Sequence, residues 1–229
     1  RNLRPASPSA QFWRGVFSIT AVGLFYLALT DIPLADATAL IFITPIIVTI
    51  LSPFILKERV GIRRWIAVLI GFGGVLLIVQ PGFQEVGLGT FAGLGAGFVF
   101  ALFSLSSRAV AQQGSPLLAV IYTALVGFIG MGVFLPSQFI LPTQFDAGLF
   151  LGLVAFAAAG QALLMYAFAA APAVVVTPFF YMTILVATTV GYFAFGDLPN
   201  LLSWAGIAIL IAVGVYIALR EAKAQETVE

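Results

Sequence analysis

An all-α polytopic membrane protein with eight transmembrane helices is the fold class this sequence predicts, on three observations. Of its 229 residues, 62% are hydrophobic and 8% charged, with a mean hydropathy of +1.13. Soluble domains carry about 25% charged residues, so a water-facing surface cannot be built from this composition. The apolar residues fall into eight stretches near the ~20 residues a helix needs to cross a hydrocarbon core. Lys and Arg, in turn, gather at alternate ends of those stretches.

The spans run roughly 13–30, 34–56, 65–79, 87–107, 117–135, 149–171, 174–195 and 201–219. Each boundary rests on a charge or a turn signal. Asp31-Ile32-Pro33 ends the first span and Lys57-Glu58-Arg59 the second. Gln80-Pro81-Gly82 closes the third, which is short, and Gln113-Gly114-Ser115-Pro116 separates the fourth from the fifth. Only Ala171-Pro172-Ala173 divides the sixth from the seventh, and Gly196-Asp197-Leu198-Pro199-Asn200 precedes the eighth. Proline and glycine mark such joints because one lacks an N–H and the other costs helix entropy.

Threading eight spans puts all ten basic residues on one side. Arg1, Arg4 and Arg14 are assigned to the approach to the first span; Lys57, Arg59, Arg63 and Arg64 lie between the second and third. Arg108 follows the fourth, and Arg220 and Lys223 follow the eighth. The opposite loops hold Asp31, Glu85, Asp146 and Asp197 but no Lys or Arg. Basic loops stay cytoplasmic, so both ends of the chain are predicted inside a cell (inner or plasma) membrane.

Composition also removes several classes of chemistry. The chain has no Cys and no His, which excludes disulfides, thiolate nucleophiles, His-based metal sites and Ser-His-Asp catalysis. A net charge of +1 argues against a nucleic-acid partner. The run Gly93-Leu94-Gly95-Ala96-Gly97 lies inside a span with no Lys after it and no strand before it, so phosphate binding is rejected. Neither an enzyme nor a cofactor is expected. The glycines have a simpler use: Gly89, Gly93 and Gly97, and again Gly148 and Gly152, recur at the four-residue spacing that lets helices approach closely.

Sliding the chain on itself by 139 residues pairs Pro33 with Pro172, Thr38 with Thr177 and Thr49 with Thr188. The same register pairs Phe54 with Phe193, Glu58 with Asp197, Trp65 with Trp204 and Ile70 with Ile209. Spans one to three thus recur five spans later as six to eight. An odd displacement reverses direction, which makes the repeat inverted, a plan common in secondary transporters. The simplest account is a five-plus-five, ten-helix protein whose first two helices lie upstream of Arg1, a reading with which the absence of an initiator Met agrees. Residues 1–82 are then a partial first repeat of three helices and 83–229 a complete second repeat of five. A native eight-span protein is the alternative.

The run Pro33-Leu34-Ala35-Asp36-Ala37-Thr38-Ala39-Leu40 with Pro45, then Lys57-Glu58-Arg59-Val60, Arg63-Arg64-Trp65 and Gly71–Leu76, carries a family resemblance. Gln80-Pro81-Gly82, Ala171-Pro172-Ala173, Pro178-Phe179-Phe180-Tyr181, Gly191-Tyr192, Phe195-Gly196-Asp197 and Arg220-Glu221 extend it. These motifs resemble the EamA-like branch of the drug/metabolite transporter superfamily, and within it the subgroup of S-adenosylmethionine-uptake and riboflavin transporters. The resemblance implies ten helices in two inverted units around a central pathway. Where glutamate is usual in the second acidic motif, this chain has Asp197.

The function expected is secondary transport of a small organic metabolite or drug-like solute by alternating access. A channel or a non-transporting membrane subunit is the alternative, and a membrane-embedded enzyme the least favoured. The partners expected are the solute and the lipid bilayer; a homodimer is left open. Substrate-pathway candidates are the polar and kink-forming residues within spans: Thr38, Pro45, Gln161, Tyr166, Pro178, Phe179 and Tyr181. Proline frees a carbonyl that a neighbouring helix or a wet cavity must satisfy. Pro45 and Pro178 do not superpose under the repeat, so asymmetric bends are expected. An amide such as Gln161 cannot cheaply face lipid, and it serves either a substrate or a neighbouring helix. Beside Pro178, Tyr181 offers a hydroxyl and Phe179 and Phe180 offer rings suited to a flat heterocycle. Asp36, Glu58 and Asp197 are gate or coupling candidates; for Asp36 a helix N-terminus is the simpler explanation. Ser104, Ser106 and Ser107 are expected to bond back to their own helix, and Arg108 either to attract an anion or to snorkel.

Overall fold

The computed structural model describes residues 7–58, 60–82, 87–112, 114–132, 143–195 and 200–226. Every regular element among these is helical. They are α1 (Pro8–Leu29), α2 (Leu34–Ile41), α3 (Thr44–Ile55), α4 (Ile62–Val79), α5 (Leu88–Ala111) and α6 (Pro116–Gly132). The chain continues through α7 (Gln144–Ala170), α8 (Ala173–Val176), a 3₁₀ turn (Thr177–Tyr181), α9 (Met182–Phe195) and α10 (Leu201–Glu226). Six stretches are long and apolar enough to cross a bilayer: Pro8–Leu29, Asp36–Ile55, Ile62–Val79, Leu88–Ala111, Phe145–Ala170 and Ala173–Val190. The apolar helices Pro116–Gly130 and Leu201–Ile217 fall short of 18 residues over their described lengths. The expected eight spans thus all meet helix, while six of them meet the length needed for crossing.

Local chemistry sets the ends. Pro8 occupies the first turn of α1, where a missing N–H is harmless, so this helix begins several residues before the expected Trp13. At α7 a capping box operates: Thr143 Oγ1 accepts from Asp146 N at 3.2 Å, and Thr143 N donates to Asp146 Oδ2 at 3.1 Å. Helix α4 stops on Gln80 in the left-handed region (φ 46°), and the Gln80 amide turns back to donate to Leu77 O at 3.0 Å.

The second expected span is broken into α2 and α3 at Phe42–Ile43. Pro45 has no N–H to give Ile41 O, and Thr44 Oγ1 replaces it at 2.7 Å, with Gly97 O of α5 a further 2.9 Å acceptor within reach. The seventh is likewise interrupted, as α8, the 3₁₀ turn and α9. Pro33 and Pro172 cap the two interrupted segments with nearly the same backbone, φ −57° and ψ 151° against φ −55° and ψ 148°. The interruptions lie in equivalent registers even though their prolines do not, so the asymmetry is one of kind: a loose joint in one, a tightened 3₁₀ turn in the other.

Helix packing follows the glycines unequally. Helix α1 packs chiefly on α5 and α6, and α4 on α10. On α5, a Cβ at Gly93 would meet Leu40 Cδ1 at 2.7 Å, and one at Gly97 would meet Leu40 O at 2.9 Å, so α2 lies against bare backbone. At the α4–α10 crossing a Cβ on Gly206 would stand 2.6 Å from Gly74 O. Gly148 and Gly152 of α7 meet nothing within 4 Å; the close packing expected of that pair is absent among the described residues. The core divides accordingly. Val48, Leu105, Met165, Phe168 and Val174 join α3, α5, α7 and α8, while Val75, Tyr181, Ile184 and Leu210 join α4, the 3₁₀ turn, α9 and α10.

Polar ties sort to the two ends of the bundle. At one end Gly89 N donates to Asp31 Oδ2 (2.7 Å) and Gly82 N to Asp36 Oδ1 (2.8 Å). There too the Gln80 and Asn200 amides exchange hydrogen bonds at 3.0 and 3.2 Å. At the other end Glu58 and Arg108 meet.

Replacing Gly206 by Val should lower the melting temperature of the detergent-solubilised protein, a loss of about 1–3 kcal/mol typical of overpacking. Gly148→Ala is the control and should leave it unchanged. Equal melting temperatures for both variants would contradict the packing described here.

Candidate functional site

A cavity of about 420 Å³ opens where the break between α2 and α3 faces α5, α7 and the 3₁₀ turn. Its volume lies within the few hundred to about 1,000 Å³ typical of small-molecule sites. Four rings, Phe42, Phe100, Phe103 and Phe180, make much of the wall. Phe100 stacks on Phe103 with centroids 5.6 Å apart and planes 15° apart, and meets Phe180 at 5.6 Å. Thr44, Gln161 and Thr183 are the polar side chains on the wall, and none of its lining residues is acidic or basic.

The secondary structure explains why these groups converge. The α2–α3 joint turns Phe42 and Thr44 inward at mid-bundle, and α5 presents Phe100 and Phe103 across from it. Ala157 and Gly160 on α7 leave room beside Gln161. The Thr44 hydroxyl is occupied by Ile41 O of the break, with Gly97 O of α5 also within reach, whereas Gln161 Oε1 is buried with no hydrogen-bond partner. An unmet amide oxygen away from water costs about 1–3 kcal/mol, so this atom is the wall's strongest demand for a donor.

Of the residues singled out from sequence, Gln161 lines this cavity, and Phe180 joins it from beside Pro178. Pro45 is buried in the first turn of α3, and half-buried Thr38 lies on α2 with its carbonyl bonded to Phe42 N at 3.2 Å. Tyr181 is fully buried, its ring 5.9 Å from that of Phe42 and packed on Gly71, outside the cavity wall. Its hydroxyl has no partner. Pro178 borders a separate crevice with Arg64 and Tyr216. Tyr166 and Phe179 are 50% and 40% exposed and are not among the residues lining the cavity. Asp36 is buried against the Gly82 N–H, and Asp197 lies outside the described residues.

Glu58 and Arg108 form a node at the opposite end from Asp36. Arg108 Nε lies 3.2 Å from Glu58 Oε1, with the two side chains only 12% and 11% exposed. Glu58 also accepts from Ser52 Oγ at 2.6 Å and from Ala173 N at 3.1 Å. Arg108 Nη1 donates to the carbonyls of Phe168 and Ala169 at the end of α7. Arg108 is thus drawn into an ion pair instead of snorkelling. Ser104 and Ser106 do bond back to their own helix, at 2.9 Å each.

One residue assigned to the approach to the first span belongs inside it. Arg14 lies in the second turn of α1, fully buried. Its Nε donates to Ser107 Oγ at 2.7 Å, and its Nη1 to Ala119 O at 2.7 Å and to Thr123 Oγ1. The signal that places it there was Ser7-Pro8: a proline suited to the first turn starts the helix early enough to carry Arg14 indoors.

Comparison with known proteins agrees with this architecture. The profile of the EamA-like transporter family matches residues 2–80 and 87–220. A riboflavin transporter of Vibrio cholerae is 29% identical over 225 residues, spanning 97% of this chain and 76% of that protein. One from Rhizobium johnstonii is 27% identical, spanning 96% and 73%. An S-adenosylmethionine uptake transporter of Rickettsia bellii is 23% identical, spanning 97% and 76%. A crystal structure sharing 17% identity superposes with a TM-score of 0.74, covering 94% of this chain and 79% of the other, which shows the shared fold.

Glu58→Ala should destabilise the protein by about 3 kcal/mol, because Arg108 is left paired with carbonyls alone. Adding Arg108→Met to it should restore part of that loss. Strictly additive losses in thermal denaturation would show that the two do not act as a pair.

Proposed function

Because the chain belongs to the EamA-like transporter family, we propose that this multi-pass membrane protein is a secondary carrier of a small planar metabolite and not an enzyme. The observation that carries the reading is the cavity at the α2–α3 break, whose wall holds four aromatic rings and Gln161, with its unpartnered amide oxygen. Stacked and tilted rings bind flat π-systems through area and quadrupole, while Gln161 selects by a hydrogen bond. Two relatives named as riboflavin transporters make a flavin the first solute to test, and S-adenosylmethionine the second.

Transport by alternating access accounts for two features. Both interrupted segments, α2–α3 and α8–α9, border the middle of the bundle, where inverted repeats of carriers place discontinuous helices. Their proline caps, 139 residues apart and alike in backbone angles, support a five-plus-five inverted plan with eight spans in this chain. The two stretches matched by the family profile fall on either side of residues 81–86, in keeping with repeat units at 1–82 and 83–229. The sorting of Lys and Arg supports a cell (inner or plasma) membrane with both ends of the chain cytoplasmic. In this scheme Gln161 and Phe180 contact the solute, with Thr38, Pro45, Pro178, Phe179, Tyr166 and Tyr181 along or behind the pathway. Asp36, Glu58 and Asp197 anchor the ends that open and close.

Purified protein in proteoliposomes should take up radiolabelled riboflavin saturably, and internal unlabelled riboflavin should accelerate entry. Non-saturating flux without counterflow would overturn the carrier reading in favour of a channel. Gln161→Leu should cut uptake at least tenfold, since a site built around a polar contact strongly disfavours its loss. Tyr26→Phe, on an exposed face of α1, should leave uptake unchanged; full activity in Gln161→Leu would place the site elsewhere.

A further inference from the structure

We infer that Arg14 sets the charge preference of the cavity, favouring an anionic or neutral planar solute and rejecting a cation. The inference rests on the carrier reading above and names the charge class of its substrate. Arg14 is completely buried, yet its hydrogen-bond partners Ser107, Ala119 and Thr123 are all neutral. Among the described residues no carboxylate pairs with it. At that end of the bundle Glu58 is taken up by Arg108 at 3.2 Å. A guanidinium stays charged at any physiological pH, and its field is therefore left largely uncancelled.

That field reaches the cavity through one aromatic ring. The guanidinium carbon sits 4.9 Å from the centroid of Phe103, and Phe103 is part of the cavity wall. Phe103 stacks on Phe100, so the cation lies against the ring pair that forms part of the cavity wall. Arg14 does not itself touch the cavity; it is a positioning residue that acts by charge. None of the lining residues is charged, so none opposes it. At about 9 Å and an effective dielectric of about 20, a unit charge changes the affinity of a monovalent ion by roughly twentyfold. The sign is opposite for anions and cations. A burial this complete is also costly in a membrane segment, and neutral side chains would tie α1 to α5 and α6 without that cost.

The test uses three probes with the same isoalloxazine ring and an N10 substituent ending in a hydroxyl, a carboxylate or a trimethylammonium group. Their dissociation constants are measured by flavin fluorescence on the full chain in nanodiscs. The unsubstituted protein should bind the carboxylate roughly 400-fold more tightly than the ammonium probe, about twentyfold on either side of the neutral probe. Arg14→Gln should bring that ratio close to one, and Arg14→Lys should largely keep it. A ratio near one in the unsubstituted protein, or one that Arg14→Gln leaves intact, overturns the charge inference while the planar-solute reading stands. Failure of all three rings to bind removes both. If Arg14→Gln does not fold, Thr123→Asp, which sets a carboxylate against the Arg14 guanidinium, should bring the ratio close to one; an undiminished ratio overturns the inference.

Discussion

Hydrocarbon offers no hydrogen bonds, and the break between α2 and α3 has to be read against that constraint. Where water is absent, each freed carbonyl costs several kcal/mol until something donates to it. Thr44 answers at Ile41 O and reaches Gly97 O, which stitches the break to α5. The close approach is available because Gly93 and Gly97 put no side chain between α5 and Leu40. With the joint held in this way, the chain turns Phe42 inward and leaves the space that becomes the cavity. One missing N–H at Pro45, one hydroxyl and two glycines therefore account for the placement of the site.

A second set of ties fixes the ends. Glu58 gathers Ser52, Arg108 and the Ala173 N–H, while Arg108 holds the last carbonyls of α7. At the far end the reciprocal Gln80–Asn200 amide pair binds α4 to α10, whose backbones already touch at Gly74 and Gly206. Ionic and amide bonds thus sit at the extremities, with the rings of the cavity wall between them. Such a division leaves the centre of the bundle apolar enough to stay in lipid and hollow enough to receive a solute.

Much of this was legible in composition and spacing. Hydropathy located the helices, turn residues located most joints, and the four-residue spacing at Gly89, Gly93 and Gly97 announced a packed face. The same spacing at Gly148 and Gly152 did not, because periodicity says that a face is small without saying what lies opposite. Gln161 was identifiable as a polar group that needs a partner. Phe100 and Phe103 were not, since each is one of 22 phenylalanines and nothing local separates a ring facing lipid from one facing a cavity. Tyr181 stood out for its hydroxyl, whereas the structure shows its ring filling the gap that Gly71 leaves, a packing that nothing local in the sequence announces. Arg14 was missed through a boundary error of a few residues, which in a membrane helix is the difference between headgroup and interior.

The chain separation of these partners bears on biogenesis. Arg14 waits 93 residues for Ser107 and 109 for Thr123, and Glu58 waits 115 for Ala173. During synthesis Glu58 can wait in water at a helix end, but the Arg14 guanidinium enters the translocon with α1 before its partners on α5 and α6 have been made. Insertion assays put such a charge at up to about 3 kcal/mol at mid-membrane and less near an edge, a penalty the surrounding apolar turns of α1 can absorb. The early helices are thus threaded in a provisional state, and their final seating is deferred until α5 and α6 have left the ribosome.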